Sequence, residues 1–487
     1  VVFFHKTYFI VATSMLVTSC AVGPDFKPPA APKTDAYTPS PLPKQTVEIA
    51  GEEEKTQSFL IGEKIAEEWW RLFGSEPLNQ LIKRSFQNNP TVQAAQASCT
   101  QAAENVKVAA GGFYPSVNVQ DTTTRQKGSG VGIGFNASPH YFNQYNASVN
   151  VSYTFDIFGS LRRQVEALSA QTDYQQYELE AAYLTLTSAI VTTTIQEASI
   201  RAQIKATKEL IDSQEKQLDI IRSQFRLGGT SQGDILAQST AVAQTRATLP
   251  PLHSALAQAR HALAALVGDF PGTANLPSFT LEDFHLPTEL PVMLPSDLVR
   301  HRPDIKAAEA LLHQASAEIG VAKAAMFPQL TLTGSYGNLS KSAGNLFAGS
   351  ANVWNIASQL LQPVFRGGAM IAQENAAIAA YDQAFAQYRQ TVLQAFQQVA
   401  DVLQALVEEA RTYKAQKEAE QSAGHALALS RKQYRLGAVS FLVLLTATRA
   451  YQQARIGRIQ AEASRYASTA SLFKALGGDF FVKQKQE

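Results

Sequence analysis

Tyr145-Asn-Ala-Ser-Val-Asn-Val-Ser-Tyr-Thr-Phe-Asp-Ile157 alternates without a break. Tyr145, Ala147, Val149, Val151, Tyr153, Phe155 and Ile157 are apolar, and Asn146, Ser148, Asn150, Ser152, Thr154 and Asp156 fill every place between. Successive side chains of a strand point to opposite faces, so this period of two predicts a strand with one aromatic and aliphatic face and one small polar face. Val117 and Val119 alternate in the same way with Ser116, Asn118 and Gln120, as do Leu330 and Leu332 with Gln329, Thr331 and Thr333. A fourth, less regular strand is expected near Trp354 to Leu360. The expected spans are 115–124, 145–157, 328–337 and 353–364. Segments of about ten residues with this pattern suit a lipid-facing, water-lined barrel. A soluble β-sandwich shares the alternation, but the connections favour the barrel. Residues 121–144 and 337–352 carry Gly128, Gly130, Gly132, Gly134, Gly337, Gly344 and Gly349, as exposed hairpin ends would. Gly130-Val-Gly-Ile-Gly134 lacks dinucleotide-binding spacing and opens no helix, so it reads as loop.

The helical signal is as strong. Leu161 to Leu227 holds neither Gly nor Pro over 67 residues, a rod of roughly 100 Å at about 1.5 Å per residue. Ala369 to Leu436 is similar, interrupted only by Gly424. Ile204, Ile211, Leu218 and Phe225 recur at seven-residue steps; so do Val392, Val399, Leu406, Tyr413, Leu427 and Tyr434, with Glu420 breaking the series. Such seams predict coiled-coil packing. A free-standing coiled-coil stalk explains the helices but leaves the strands without a role.

The chain also repeats once. Pro90-Thr-Val-Gln-Ala-Ala-Gln-Ala matches Pro303-Asp-Ile-Lys-Ala-Ala-Glu-Ala, and Tyr114-Pro115 matches Phe327-Pro328. Phe225-Arg-Leu-Gly228 matches Tyr434-Arg-Leu-Gly437, and Gln244-Thr-Arg246 matches Gln453-Ala-Arg455. A period of about 200 residues is far longer than a solenoid repeat, so one architecture is duplicated. Each half reads helix, strand, glycine-rich loop, strand, very long helix, tip turn, helix. The expected organisation is a signal peptide at 1–19, a proline-rich tether at 20–62, a first repeat at 63–270, a linker at 271–302, a second repeat at 303–480 and a tail at 481–487. The fold class is mostly α with a transmembrane β-barrel.

The N-terminus carries His5 and Lys6, an apolar run from Phe9 to Val17, and small residues before Cys20. This is the form of an export signal. Val17-Thr-Ser-Cys20 has the form of a lipobox, so Cys20 is the expected site of a covalent lipid, diacylglycerol thioether with N-acyl. Ala21, where an aspartate would favour inner-membrane retention, points to outer-membrane sorting. Cys99 is then the one thiol left, expected as a small buried packing residue. No later run reaches the roughly 18 apolar residues of a membrane-spanning helix. Lys plus Arg number 42 and Asp plus Glu 41, so no net field recruits nucleic acid. The eight histidines and four methionines show no paired ligand spacing, and no metal or other cofactor is expected. His301-Arg-Pro-Asp304 reads as a helix start rather than a kinase catalytic loop, and no enzyme activity is expected.

A sheet in hydrocarbon must close so that no edge leaves backbone groups unpaired. Four strands in one chain cannot close. Two copies supply about eight, a barrel filled by its own side chains, and three supply about twelve, which leaves a lumen. A homotrimer is therefore expected, its long helices prolonging the lumen across the periplasm.

Cys20-Ala-Val-Gly-Pro-Asp-Phe-Lys-Pro-Pro29, Trp69-Trp-Arg-Leu-Phe-Gly74, Leu249-Pro-Pro-Leu252, Leu263-Ala-Ala-Leu-Val-Gly268, Arg302-Pro-Asp-Ile-Lys-Ala-Ala-Glu309 and Ile319-Gly-Val-Ala-Lys-Ala-Ala-Met-Phe-Pro328 occur in this order. Together they resemble the NodT-type outer-membrane efflux lipoproteins, relatives of TolC, over essentially the whole mature chain. The resemblance implies a trimeric twelve-stranded barrel continued by an α-helical periplasmic barrel. It implies a passive duct exporting small molecules, drugs or other toxic compounds. Its expected partners are a periplasmic membrane-fusion adaptor, an inner-membrane resistance-nodulation-division transporter that supplies the energy, and outer-membrane lipid. The outlet of a type I protein-secretion system shares this architecture, and an anchored, non-conducting stalk is the remaining alternative.

By the same resemblance, Arg226, Leu227 and Gly228 and their counterparts Arg435, Leu436 and Gly437 form adaptor-docking tips. Leu442 matches an apolar constriction of a periplasmic gate. Tyr434 and Arg449 match residues that tie neighbouring helices, and Thr446 stands where relatives carry an aspartate. Asp234 is expected to offset that change by pairing with a nearby arginine. Leu442, Thr446 and Arg449 lie at i, i+4 and i+7, one face of a helix.

Overall fold

The computed structural model describes residues 21–52, 55–63, 65–128 and 140–478; Cys20, Gly130, Gly132, Gly134 and the expected tail lie outside them. Its elements in chain order are β1 (Ser58–Ile61), α1 (Glu76–Asn88), α2 (Pro90–Ala110), β2 (Ser116–Gly128), β3 (His140–Phe155), α3 (Ser160–Arg226), α4 (Gln232–Ala247) and α5 (Leu249–Val267). They continue as β4 (Glu289–Val292), α6 (Pro295–His301), α7 (Pro303–Ala324), β5 (Gln329–Ser340), β6 (Asn352–Leu361), α8 (Ala369–Arg435) and α9 (Phe441–Ala475). The chain divides into two compact units. No described helix is long and apolar enough to cross a membrane.

The first unit, 1–29, 98–175 and 307–388, holds the four expected strands in one antiparallel sheet of order β2-β3-β5-β6. Its register sorts the two faces. Val119, Val149, Tyr336 and Trp354 stand side by side across all four strands, as do Asn118, Asn150, Ser335 and Asn355 one step away. The apolar row is open, Val119 being 83% and Trp354 71% exposed. An uncovered apolar face of this breadth marks a surface made for an apolar environment.

The strand ends differ from the expected spans. β2 and β3 run well into the 121–144 stretch expected as loop, so Gly128 belongs to a strand. β3 stops at Phe155, short of Ile157, because Asp156 turns to accept from the backbone N–H groups of Leu161 and Arg162, at 2.9 and 3.0 Å, and thereby caps α3. Gly337, expected in a hairpin loop, lies within β5; a Cβ there would meet the Ala147 carbonyl oxygen at 2.3 Å. The tether begins docked rather than free. The Val22 N–H donates to the Phe158 carbonyl at 3.1 Å, and the buried Arg163 donates to the Val22 carbonyl and Asp25. Cys99 is half-buried, its thiol donating to the Gln175 carbonyl at 3.1 Å, and burial pushes its pKa up, away from thiolate reactivity.

The second unit, 30–97, 176–306 and 389–487, is helical around an aromatic core. Trp69, Trp70 and Phe73 are buried, and Trp69 stacks on Phe473 at 5.2 Å. Here the expected tether and linker are corrected: β1 and β4 pair in parallel, Ser58 opposite Glu289, and Phe279, Phe284 and Leu290 of the supposed linker are buried. Apolar side chains from two distant stretches complete one core that neither could build alone. The heptad seams are buried at Ile204, Ile211, Leu218, Val392, Val399, Leu406, Tyr413 and Leu427, but at their tip ends Phe225 is exposed and Tyr434 only half-buried. Arg302 of the Arg-Pro-Asp motif is buried too, bonding Asp304 and the Ala475 carbonyl at the end of α9.

Candidate gate and helix tips

Both long helices end in the same reversal. At the first tip, the Gly228 N–H donates to the Phe225 carbonyl at 2.9 Å and the Gly229 N–H to the Gln224 carbonyl at 2.8 Å. At the second, the Gly437 N–H donates to the Tyr434 carbonyl at 3.0 Å and the Ala438 N–H to the Gln433 carbonyl at 2.9 Å. This is the Schellman pairing, which needs a left-handed residue; Gly228 has φ +77° and Gly437 φ +71°. The reversal leaves Leu227 87% and Leu436 75% exposed. Arg226 and Arg435 are exposed beside them, Arg226 donating to Ser223 of its own helix at 3.1 Å. Each turn thus presents an arginine and a leucine on a tightly closed backbone.

Beyond the turns the two tips differ. At the first, Ser231 and Asp234 form a reciprocal capping box on α4. The Asp234 carboxylate accepts from the hydroxyls of Thr230 and Ser231, both at 2.8 Å, and from the Ser231 N–H at 3.1 Å. The Thr230 bond, followed by those from Ser231, holds this carboxyl below its usual pKa. The expected pairing of Asp234 with an arginine is therefore not what the chain forms. All three bonds fall on Oδ2, from donors three and four residues away.

At the second tip Ser440 makes no side-chain cap bond. The start of α9 is held by packing: Phe441, Leu444 and Leu445 are buried with Ile221, Ala241 and Leu427, and Tyr434 packs against them. The Tyr434 hydroxyl donates to Gln224 of α3 at 3.1 Å and its ring meets Phe441 at 5.9 Å. Burial, with the negative charge of Asp234 adding, raises the Tyr434 pKa, so the phenol stays a neutral donor. Tyr434 thus ties α8 to α3.

Leu442, Thr446 and Arg449 share the opposite, exposed face of α9, with Leu442 66% exposed. The Thr446 hydroxyl donates to the Leu442 carbonyl at 2.9 Å, and Arg449 reaches Gln244 of α4 at 3.5 Å. The structure places these three on one exposed face of α9. Gln224, Thr230 and Phe441 were not singled out in the sequence. Ser231-Gln-Gly-Asp234 does carry a legible capping signature. Among the described residues no cluster of His, Cys, Asp and Glu could hold a metal ion.

The model of the outer membrane efflux protein family matches residues 81–269 and 294–478. The toluene efflux pump outer membrane protein TtgC of Pseudomonas putida is 28% identical over 486 residues, 98% of this chain and 96% of that protein. The outer-membrane channel OprN superposes with a TM-score of 0.85 at 25% identity, covering 95% of this chain and all of that one. The Campylobacter jejuni CmeC outer membrane channel gives the same TM-score at 23% identity, over 94% and 95% of the two chains, and attests the fold. An apolar sheet face, two long rods and two matched tips are thus the parts of an outer-membrane efflux channel, and the chain belongs to the outer membrane efflux protein family.

Proposed function

We propose that three copies of the chain close one twelve-stranded barrel in the outer membrane and form a passive duct for small toxic molecules, gated at the exposed face of α9. The reading rests on one observation above all: the sheet has an uncovered apolar face and two edges, β2 and β6, each paired on one side only. The apolar face suits hydrocarbon, and there the unpaired backbone groups of the two edges are tolerable only once the sheet closes. The exposed Arg-Leu-Gly tips dock a periplasmic adaptor, and an inner-membrane resistance-nodulation-division transporter supplies the energy. TtgC, by name, serves a toluene efflux pump; small organic compounds are the corresponding cargo class here. Cys20 carries the lipid, two residues before Val22, which Arg163 and Phe158 hold at the junction of β3 and α3. Acyl labelling should disappear in Cys20→Ala; a labelled variant refutes the anchor.

At the gate, Leu442 supplies an apolar constriction and Thr446 a ring without charge. Purified wild-type protein in a planar bilayer should give discrete conductance steps, and silence would favour the non-conducting stalk. Thr446→Asp adds one negative charge per copy and should raise cation selectivity. Unchanged selectivity would remove Thr446 from the pore.

A further inference from the structure

The duplication gives each junction between strand and helix a counterpart. Tyr114-Pro115 corresponds to Phe327-Pro328, and Val149-Asn-Val-Ser-Tyr-Thr-Phe-Asp-Ile-Phe158 to Ile356-Ala-Ser-Gln-Leu-Leu-Gln-Pro-Val-Phe365. In this correspondence β3 is equivalent to β6 and β5 to β2. The inner pair, β3 with β5, is formed within the chain, with Tyr153 opposite Leu332. At its end Phe158 stacks on Phe327, ring centroids 4.7 Å apart and planes 24° from parallel.

The outer equivalents have nothing to stack on. Phe365 is 87% and Tyr114 74% exposed, and neither has a ring partner among the described residues. Val364 beside Phe365 is 92% exposed, whereas Ile157, its counterpart beside Phe158, is half-buried. Every residue of β6 is exposed, as are most of β2. One half of the molecule therefore displays, as two separated edges, the contact that the other half completes internally.

We infer that β6 of one copy pairs antiparallel with β2 of the next in the register of the inner pair, Leu360 opposite Val119, and that Phe365 stacks on Tyr114 of that neighbour. This rests on the trimer reading and adds the register and the aromatic seal. The assignment keeps the faces consistent. Leu360 takes the place of Tyr153 and Val119 that of Leu332, all four on the alternating apolar side, and a slip by one residue would turn each edge to the wrong face. A slip by two keeps the faces but parts the rings. The seal closes the barrel wall at its junction with the helices, where the strand hydrogen bonds end.

The test is cross-linking of the full-length protein in membranes, in a Cys99→Ala background. Paired Val119→Cys and Leu360→Cys should oxidise to covalent dimers and trimers, since directly opposed strand residues lie within disulfide reach. Each single variant should stay unlinked. A stronger link from Leu360→Cys to Val117→Cys or Asp121→Cys overturns the register, as does the absence of any link in a preparation that native mass shows to be trimeric. A monomeric native mass instead overturns the trimer reading, and the register with it. If the cysteine pair does not insert, Phe365→Ala and Phe365→Tyr give a second readout. The first should lower the temperature at which the trimer dissociates and the second should restore it; equal dissociation temperatures refute the stack.

Discussion

The two tips use one turn and two ways of starting the next helix. Both reverse through a Schellman pairing at a left-handed glycine and end in an exposed leucine. α4 then begins with the Ser231 and Asp234 N–H groups bonded reciprocally by each other's side chains, whereas α9 begins with no side-chain cap and is held by Phe441, Leu444, Leu445 and Tyr434. A cap is a local device that fixes the first turn whatever the neighbours do. Packing holds a turn only while the facing helices stay in place, so the second tip is the one whose movement follows that of its neighbours. The exposed row Leu442, Thr446 and Arg449 sits on this packing-dependent start.

The comparison can be broken most severely where the tips are alike. Leu227→Asp with Leu436→Asp places carboxylates on two exposed positions, so folding should change by no more than about 0.5 kcal/mol. Efflux should nevertheless fall to the level of a strain lacking the channel, with cross-linking to the adaptor lost. Preserved cross-linking would show that the tips are simply good helix stops. Next in size is Phe441→Ala, which opens a cavity in the cluster holding α9 and should cost about 3–5 kcal/mol locally. Hydrogen exchange should speed up in the first turns of α9 and leave those of α4 unchanged; equal acceleration of both would erase the distinction. Smallest is the pair of serines. Ser231→Ala removes a cap bond and should cost about 1 kcal/mol, while Ser440→Ala, which removes none, should stay within about 0.5 kcal/mol. Thermal unfolding of the two variants side by side measures the difference.

Residues with a strong local period were legible from the sequence. Alternation at Tyr145–Phe155 and the seven-step series through Ile204 and Val399 foretold a sheet with an apolar face and two buried seams. Both periods come from backbone geometry that each segment carries with it. The Arg-Leu-Gly reversals were legible for the same reason, since a left-handed position within a helix stop selects glycine. The face shared by Leu442, Thr446 and Arg449 followed from helical spacing alone.

What the sequence did not disclose depends on partners far along the chain or on competition for one group. The pairing of Ser58 with Glu289 joins residues more than two hundred positions apart, and nothing in a proline-rich stretch announces which edge it will meet. The carboxylate of Asp234 had two plausible uses, an arginine or its own helix start, and only the three-dimensional arrangement decided between them. Ile157 continued the alternation perfectly and still left the strand, because the Asp156 before it was needed to cap a 67-residue helix. Sequence by itself therefore determined the elements and their apolar faces, which are properties of local backbone period. Tertiary structure decided strand ends, docking partners and the commitment of each charged group, because those are set by which neighbour reaches a polar atom first.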